Sequence, residues 1–86
     1  MKIKLFWKEN CPACPQAKEL VADFDNVEYF NVEEAGGLAE ASFHGILATP
    51  SIVVVNKKGE EVSAWLGQVP PAAEIEQCLM SRVTSP

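Results

Sequence analysis

The chain has 86 residues, enough for a single domain over 1–86 with a small hydrophobic core. An apolar fraction of 48% and a charged fraction of 22% describe a globular protein, and a net charge of −5 argues against nucleic acid or an anionic membrane surface as a partner. No apolar run approaches the length of about 18 residues that a membrane span needs, and three cysteines is an odd count for a secreted disulfide scaffold.

The first element is KIKLFW, residues 2–7. Ile3, Leu5 and Trp7 alternate on one side and Phe6 keeps the other side apolar, which predicts a strand covered on both faces. Lys2 and Lys4 resemble the start of a secretory signal, but the apolar run after them stops at Lys8, so a cytoplasmic protein is expected. Residues 12–24 place Ala13, Ala17, Leu20, Val21 and Phe24 on a helical stripe. VEYFN, 27–31, reads as a second short strand. Residues 33–43 read as a weaker helix, with Gly36 and Gly37 inside it lowering its propensity. SIVVVN, 51–56, is the strongest strand; Lys57, Lys58 and Gly59 make a hairpin turn, and 60–66 is the return strand. Pro70 and Pro71 open a last helix with Ile75, Cys78, Leu79 and Arg82 as its candidate stripe, and the tail after Arg82 is expected to fray. The order β-α-β-α-β-β-α begins with a βαβ unit, whose strands should be parallel with a right-handed crossover. A hairpin and a helix complete an α/β fold with a mixed four-stranded sheet and helices on both faces.

Cys11 and Cys14 carry the chemistry. The pair stands between the first strand and the first helix, with Pro12 and Pro15 each following a cysteine. Pro12 suits the first helical position, which would make Cys11 the N-cap. A sulfur there faces free backbone N–H groups and the positive end of the helix dipole, and both favour thiolate over thiol. The thiolate is the attacking form in disulfide exchange. Cys14, inside the first turn, would be the more shielded, resolving thiol. Pro15 removes an early helical hydrogen bond and is read as a structural stiffener. Metal handling by the two thiolates remains a competing reading. A zinc site would need further ligands, and beyond the pair only Cys78, His44 and carboxylates are available.

With the motif in place, residues 2 to 82 resemble the thioredoxin/glutaredoxin superfamily. The first half is similar to glutaredoxins: a short strand, Lys8, then Cys-Pro-Ala-Cys. The second half, HGILATPSIVVVNKKGEEVSAWLG, is similar to thioredoxins, with Gly45, Ile46, Pro50, Gly59 and Gly67 on the family's landmarks. The resemblance implies a thioredoxin fold and a thiol–disulfide oxidoreductase that reduces protein disulfides, with Cys11 as nucleophile and Cys14 as resolving thiol. Pro12 and Ala13 would support the dithiol, and Lys8 is either a solvated strand end or a cation that stabilises the Cys11 thiolate. Pro50 would be the family's cis-proline, and Thr49, Pro50 and Trp7 would meet the substrate chain. A thioredoxin-reductase-type flavoprotein is the implied electron donor. No cofactor beyond the Cys11–Cys14 disulfide, no metal and a monomeric state are expected. The chain departs from the family in three places: Asn10, not tryptophan, precedes Cys11; Leu5 stands where thioredoxins bury an aspartate; and Gln68 follows Gly67, without the Gly-Gly and acidic cluster that glutaredoxins use for glutathione. A glutathione-dependent glutaredoxin remains an alternative.

Among the other candidates, Cys78 reads as a buried structural thiol, His44 as a solvated side chain or a charge at a helix end, and Trp65 as core or sheet-face packing.

Overall fold

The computed structural model describes the backbone of residues 1–84 and the side chains of residues 1–80; Arg82's place in the helical stripe and the chain end at 85–86 lie outside these. The elements are β1 (Lys2–Trp7), α1 (Cys14–Ala22), β2 (Val27–Asn31), α2 (Ala35–Phe43), β3 (Ser51–Val55), β4 (Glu61–Leu66) and α3 (Ala72–Thr84).

The sheet order is β2-β1-β3-β4. β1 pairs parallel with β2, Ile3 opposite Val27 and Trp7 opposite Asn31. It pairs antiparallel with β3, Lys2 opposite Val55 and Phe6 opposite Ser51. β3 pairs antiparallel with β4. This is the mixed sheet that the element order requires.

The two faces of the sheet hold separate cores. Ile3, Leu5, Ile52 and Val54 point to one face and pack with Ala17 and Val21 of α1 and Ile75 of α3. Phe6, Val53 and Val55 point to the other and pack with Ala41 of α2. Every residue of β3 is therefore buried, which is why its sequence is a continuous apolar run rather than an alternating one. Trp65 and Cys78 pack partly buried against the α1/α3 core, Cys78 being intermediate in exposure rather than buried as expected.

The β3–β4 turn is built on Asn56. Its Oδ1 accepts from the backbone N–H groups of Lys58 (2.9 Å) and Glu60 (3.0 Å). Gly59 completes the turn at φ +81, a left-handed conformation that glycine adopts without a Cβ penalty.

Candidate active site

β1 delivers the loop that holds the cysteines. Its last carbonyl, of Trp7, accepts from the Val32 N–H at 2.9 Å, so the strand end is tied to the segment after β2. The Glu9 N–H then donates to the Glu33 carboxylate at 3.2 Å. Asn10 turns the chain at φ +59, a left-handed conformation that asparagine tolerates better than most residues. Asn10 thus has a backbone role that a bulky aromatic ring would fill poorly, a physical account of its place before Cys11.

Cys11 and Cys14 form a disulfide with Cα atoms 5.4 Å apart, inside the range that bridged cysteines occupy. The Cys14 N–H donates to the Cys11 carbonyl at 3.2 Å, so the pair closes a single tight turn. That turn lies upstream of the helix. α1 begins at Cys14 with Ala13 as its N-cap, and Ala13 makes no side-chain capping bond. The expected N-cap role of Cys11 and the first-position role of Pro12 are therefore corrected. Pro15 is the proline in the first helical turn. Its missing N–H falls among donors that have no intrahelical partner anyway, so the early helical hydrogen bond it removes is no loss to α1. Cys11 stands one turn ahead of the helix start rather than on it.

Both sulfur-bearing residues are nearly covered, Cys11 8% and Cys14 3% exposed. They line a cavity of about 470 Å³ with Trp7, Lys8 and Pro12, and Glu9, Asn10, Pro15 and Lys18, to which the motif alone does not point, also reach it. Of these, Lys18 is the most informative. Its Nζ sits 3.4 Å from the centroid of the Trp7 ring, over the ring face. The available signal was spacing: Lys18 lies four residues after Cys14 on α1, one helical turn along the same side. Nothing in the sequence shows that β1 brings Trp7 to meet it. Ala13 is part of the 11–14 turn and does not line this cavity.

Thr49 and Pro50 come from the start of β3. Phe6 pairs with Ser51, so the antiparallel register brings the residues before Ser51 alongside the end of β1, from which the cysteine loop departs. The Thr49–Pro50 bond is cis, and Pro50 is buried. Ser51 secures this segment: its hydroxyl donates to the Ala48 carbonyl at 2.7 Å and accepts from the Gly67 N–H at 3.0 Å. Thr49 lines a second cavity of about 270 Å³ with Lys8, Val32, Leu38, Ile46 and Leu47, so Lys8 borders both. The Thr49 hydroxyl is buried without a hydrogen-bond partner among the described residues.

His44 is not part of this site. It is the C-cap of α2, at the helix end as one of its two readings has it, but its side chain is 3% exposed rather than solvated and lies among Lys4, Glu40 and Glu61. Among the described residues, no three or more His, Cys, Asp or Glu side chains are grouped to hold a metal ion.

The sequence model of the thioredoxin domain family matches residues 1–80 of this chain. A thioredoxin of Methanocaldococcus jannaschii is 41% identical over 61 residues, which cover 63% of this chain and 69% of that protein. Thioredoxin 1 of Thermosipho africanus superposes with a TM-score of 0.72 at 17% identity, covering 98% of this chain and 96% of that one, a likeness of fold. A Thermus thermophilus thioredoxin gives a TM-score of 0.66 at 26% identity, with 94% of this chain and 72% of that one covered.

Proposed function

Because the chain belongs to the thioredoxin domain family and is a thiol–disulfide oxidoreductase, we propose that it reduces disulfides in proteins, with Cys11 as attacking thiolate and Cys14 as resolving thiol. The observation that carries this reading is the Cys11–Cys14 disulfide on the wall of a cavity, with Cys11 the more accessible of the two.

In the reduced protein, the Cys11 thiolate attacks one sulfur of a substrate disulfide. A mixed disulfide forms and one substrate thiolate leaves. Cys14, held 5.4 Å away Cα to Cα, loses its proton and attacks the Cys11 sulfur. The second substrate thiolate leaves, and the protein is left as its own disulfide. Two electrons have passed to the substrate, and no other cofactor takes part in this exchange. Trp7, which lines the dithiol cavity, and Thr49 and Pro50, which the β1–β3 register brings alongside the end of β1, would meet the substrate chain, with Lys8, Pro12 and Ala13 supporting the loop.

The test is a trapping experiment. Cys14→Ser should accumulate mixed disulfides through Cys11, because the resolving step is removed. Cys11→Ser should accumulate few or none. Equal trapping by both variants would overturn the division of roles.

The proposed electron donor is a flavoprotein reductase of the thioredoxin type using NADPH, acting on a monomer in the cytoplasm. Among the described residues no helix is long and apolar enough to cross a membrane. Glutathione is the comparator: Lys8 and Lys18 offer it cations, but the Gly-Gly and acidic cluster of glutaredoxins is missing after Gly67. Reduction of the Cys11–Cys14 disulfide should be faster with the reductase than with glutathione at matched reducing potential. Turnover with glutathione and none with thioredoxin-type reductases would reassign the donor.

A further inference from the structure

We propose that Lys18, together with Lys8, makes the dithiol cavity selective for polypeptide disulfides whose cysteine has carboxylate side chains beside it. The proposal rests on the oxidoreductase reading above and adds to it the chemical class of substrate.

The distribution of cations carries the inference. The chain has a net charge of −5, so its average field repels an acidic substrate. The lysines are not spread evenly against that field. Lys2 and Lys4 are paired with Glu28 and Glu40. Lys57 and Lys58 sit in the β3–β4 turn, which the register places at the far end of the sheet from Ser51 and the cysteine loop. Lys8 and Lys18 both line the dithiol cavity, and among the described residues neither is in an ion pair with a carboxylate. Glu9 is the acidic residue on the same wall, so two lysines face one glutamate there. The Glu33 carboxylate lies behind that wall, bound to the Glu9 N–H, so the charges that line the cavity itself are two cations and one anion.

Lys18 is also held in place. Its ammonium rests on the Trp7 ring face, with Trp7 itself a wall of the cavity. A long lysine side chain free in solvent gives up rotamer entropy when it meets an anion. One already seated on an aromatic ring has given up part of it. A carboxylate entering beside the substrate cysteine meets a pre-positioned cation.

The experiment uses reduced wild-type protein and three disulfide-linked peptide dimers identical except for Glu, Gln or Lys on both sides of the cysteine. Single-turnover thiol release is followed for each, and each rate is divided by that of the same peptide with dithiothreitol, which removes the peptide's intrinsic reactivity. The readout is the Glu-to-Lys ratio. Any change in the nucleophilicity of Cys11 cancels in it, so a purely structural or thiolate-stabilising role of Lys18 leaves it unmoved. The ratio should exceed about threefold at low salt and fall toward unity at 1 M salt, where screening is nearly complete. Lys18→Met keeps the alkyl stem on Trp7 and should reduce the ratio, Lys18→Arg should preserve it, and Lys8→Gln with Lys18→Met should abolish it. A wild-type ratio near one, or a ratio unchanged in Lys18→Met, overturns the proposal and leaves the oxidoreductase reading standing, because the Gln peptide is still reduced. Failure to reduce any peptide overturns that reading and the proposal with it.

Discussion

His44 shows how a residue with no local context acquires one in three dimensions. Its ring lies between the rings of Phe6 and Phe43. Its Nε2 is 3.2 Å from Lys4 Nζ and its Nδ1 is 3.4 Å from Glu61. Lys4 also donates to Glu40 at 2.5 Å. The Glu40 carboxyl is held below its ordinary value of 4.5, first by that hydrogen bond, with the charges of Lys4, His44 and Lys2 adding to it and partial burial opposing it. A depressed carboxyl value stabilises the fold above the unfolded value, and the contribution is lost as pH falls through the folded value. Glu40→Gln should therefore be less stable than wild type at pH 7, and the gap should close as the pH falls through and below 4.5. Urea unfolding at pH 7 and at about pH 3 reads this directly. Parallel stability curves across that range would mean that Glu40 contributes no charge-dependent stability.

At the scale of the elements, two glycines in α2 offer a paired test. A Cβ on Gly37 would fall on the backbone carbonyl of Asn31, so the absence of a side chain is what lets α2 approach β2. A Cβ on Gly36 would meet nothing within 4 Å. Gly36→Ala should stabilise the protein by up to about 1 kcal/mol through helix propensity and unfolded-state entropy. Gly37→Ala should destabilise it, because backbone must move. Matching signs for the two substitutions, measured by thermal or urea unfolding, would show that this close approach is not fixed by Gly37. In the sequence both glycines are propensity defects of equal weight, since the partner carbonyl belongs to another element. The same distinction governs what was legible overall. Strand and helix positions follow from local periodicity: residues 2–7 read as a strand covered on both faces and 51–56 as the strongest strand, and the structure buries all of β3. The cysteine pair was legible because its spacing is itself local. The start of α1 was not. Both Pro12 and Pro15 suit a first turn, and only the 11–14 turn decides between them. Lys18 over Trp7, and His44 against Lys4 and Glu61, needed the register of whole elements.

The whole molecule joins two small cores through one sheet, and the site depends on both. β1 and β3 are the central strands. β1 ends in the cysteine loop, and β3 begins after Thr49 and Pro50, so the pairing of these strands brings the Thr49–Pro50 segment alongside the end of β1 from which that loop departs. Adjacent residues of β3 serve opposite faces: Ile52 packs with α1 and α3, Val53 with α2, and both are fully buried. Ile52→Ala should cost about 2–5 kcal/mol, and Val53→Ala at least about 1.5 kcal/mol from the two methyl groups removed, before any cavity term. A domain of this size has a total stability on the order of 4–13 kcal/mol, so either loss is a large share. Because one sheet carries both cores, neither face can melt without exposing the strands that the other face covers. Each variant should therefore unfold in a single transition, with a lower urea midpoint, an unchanged slope, and coincident curves by tryptophan fluorescence and far-ultraviolet circular dichroism. Trp65 packs on the α1/α3 side, so its fluorescence would report an independent melting of that face. Two transitions in Val53→Ala, with Trp65 unfolding after the loss of α2, would show that the cores are separable and that the α1/α3 half alone holds the dithiol loop.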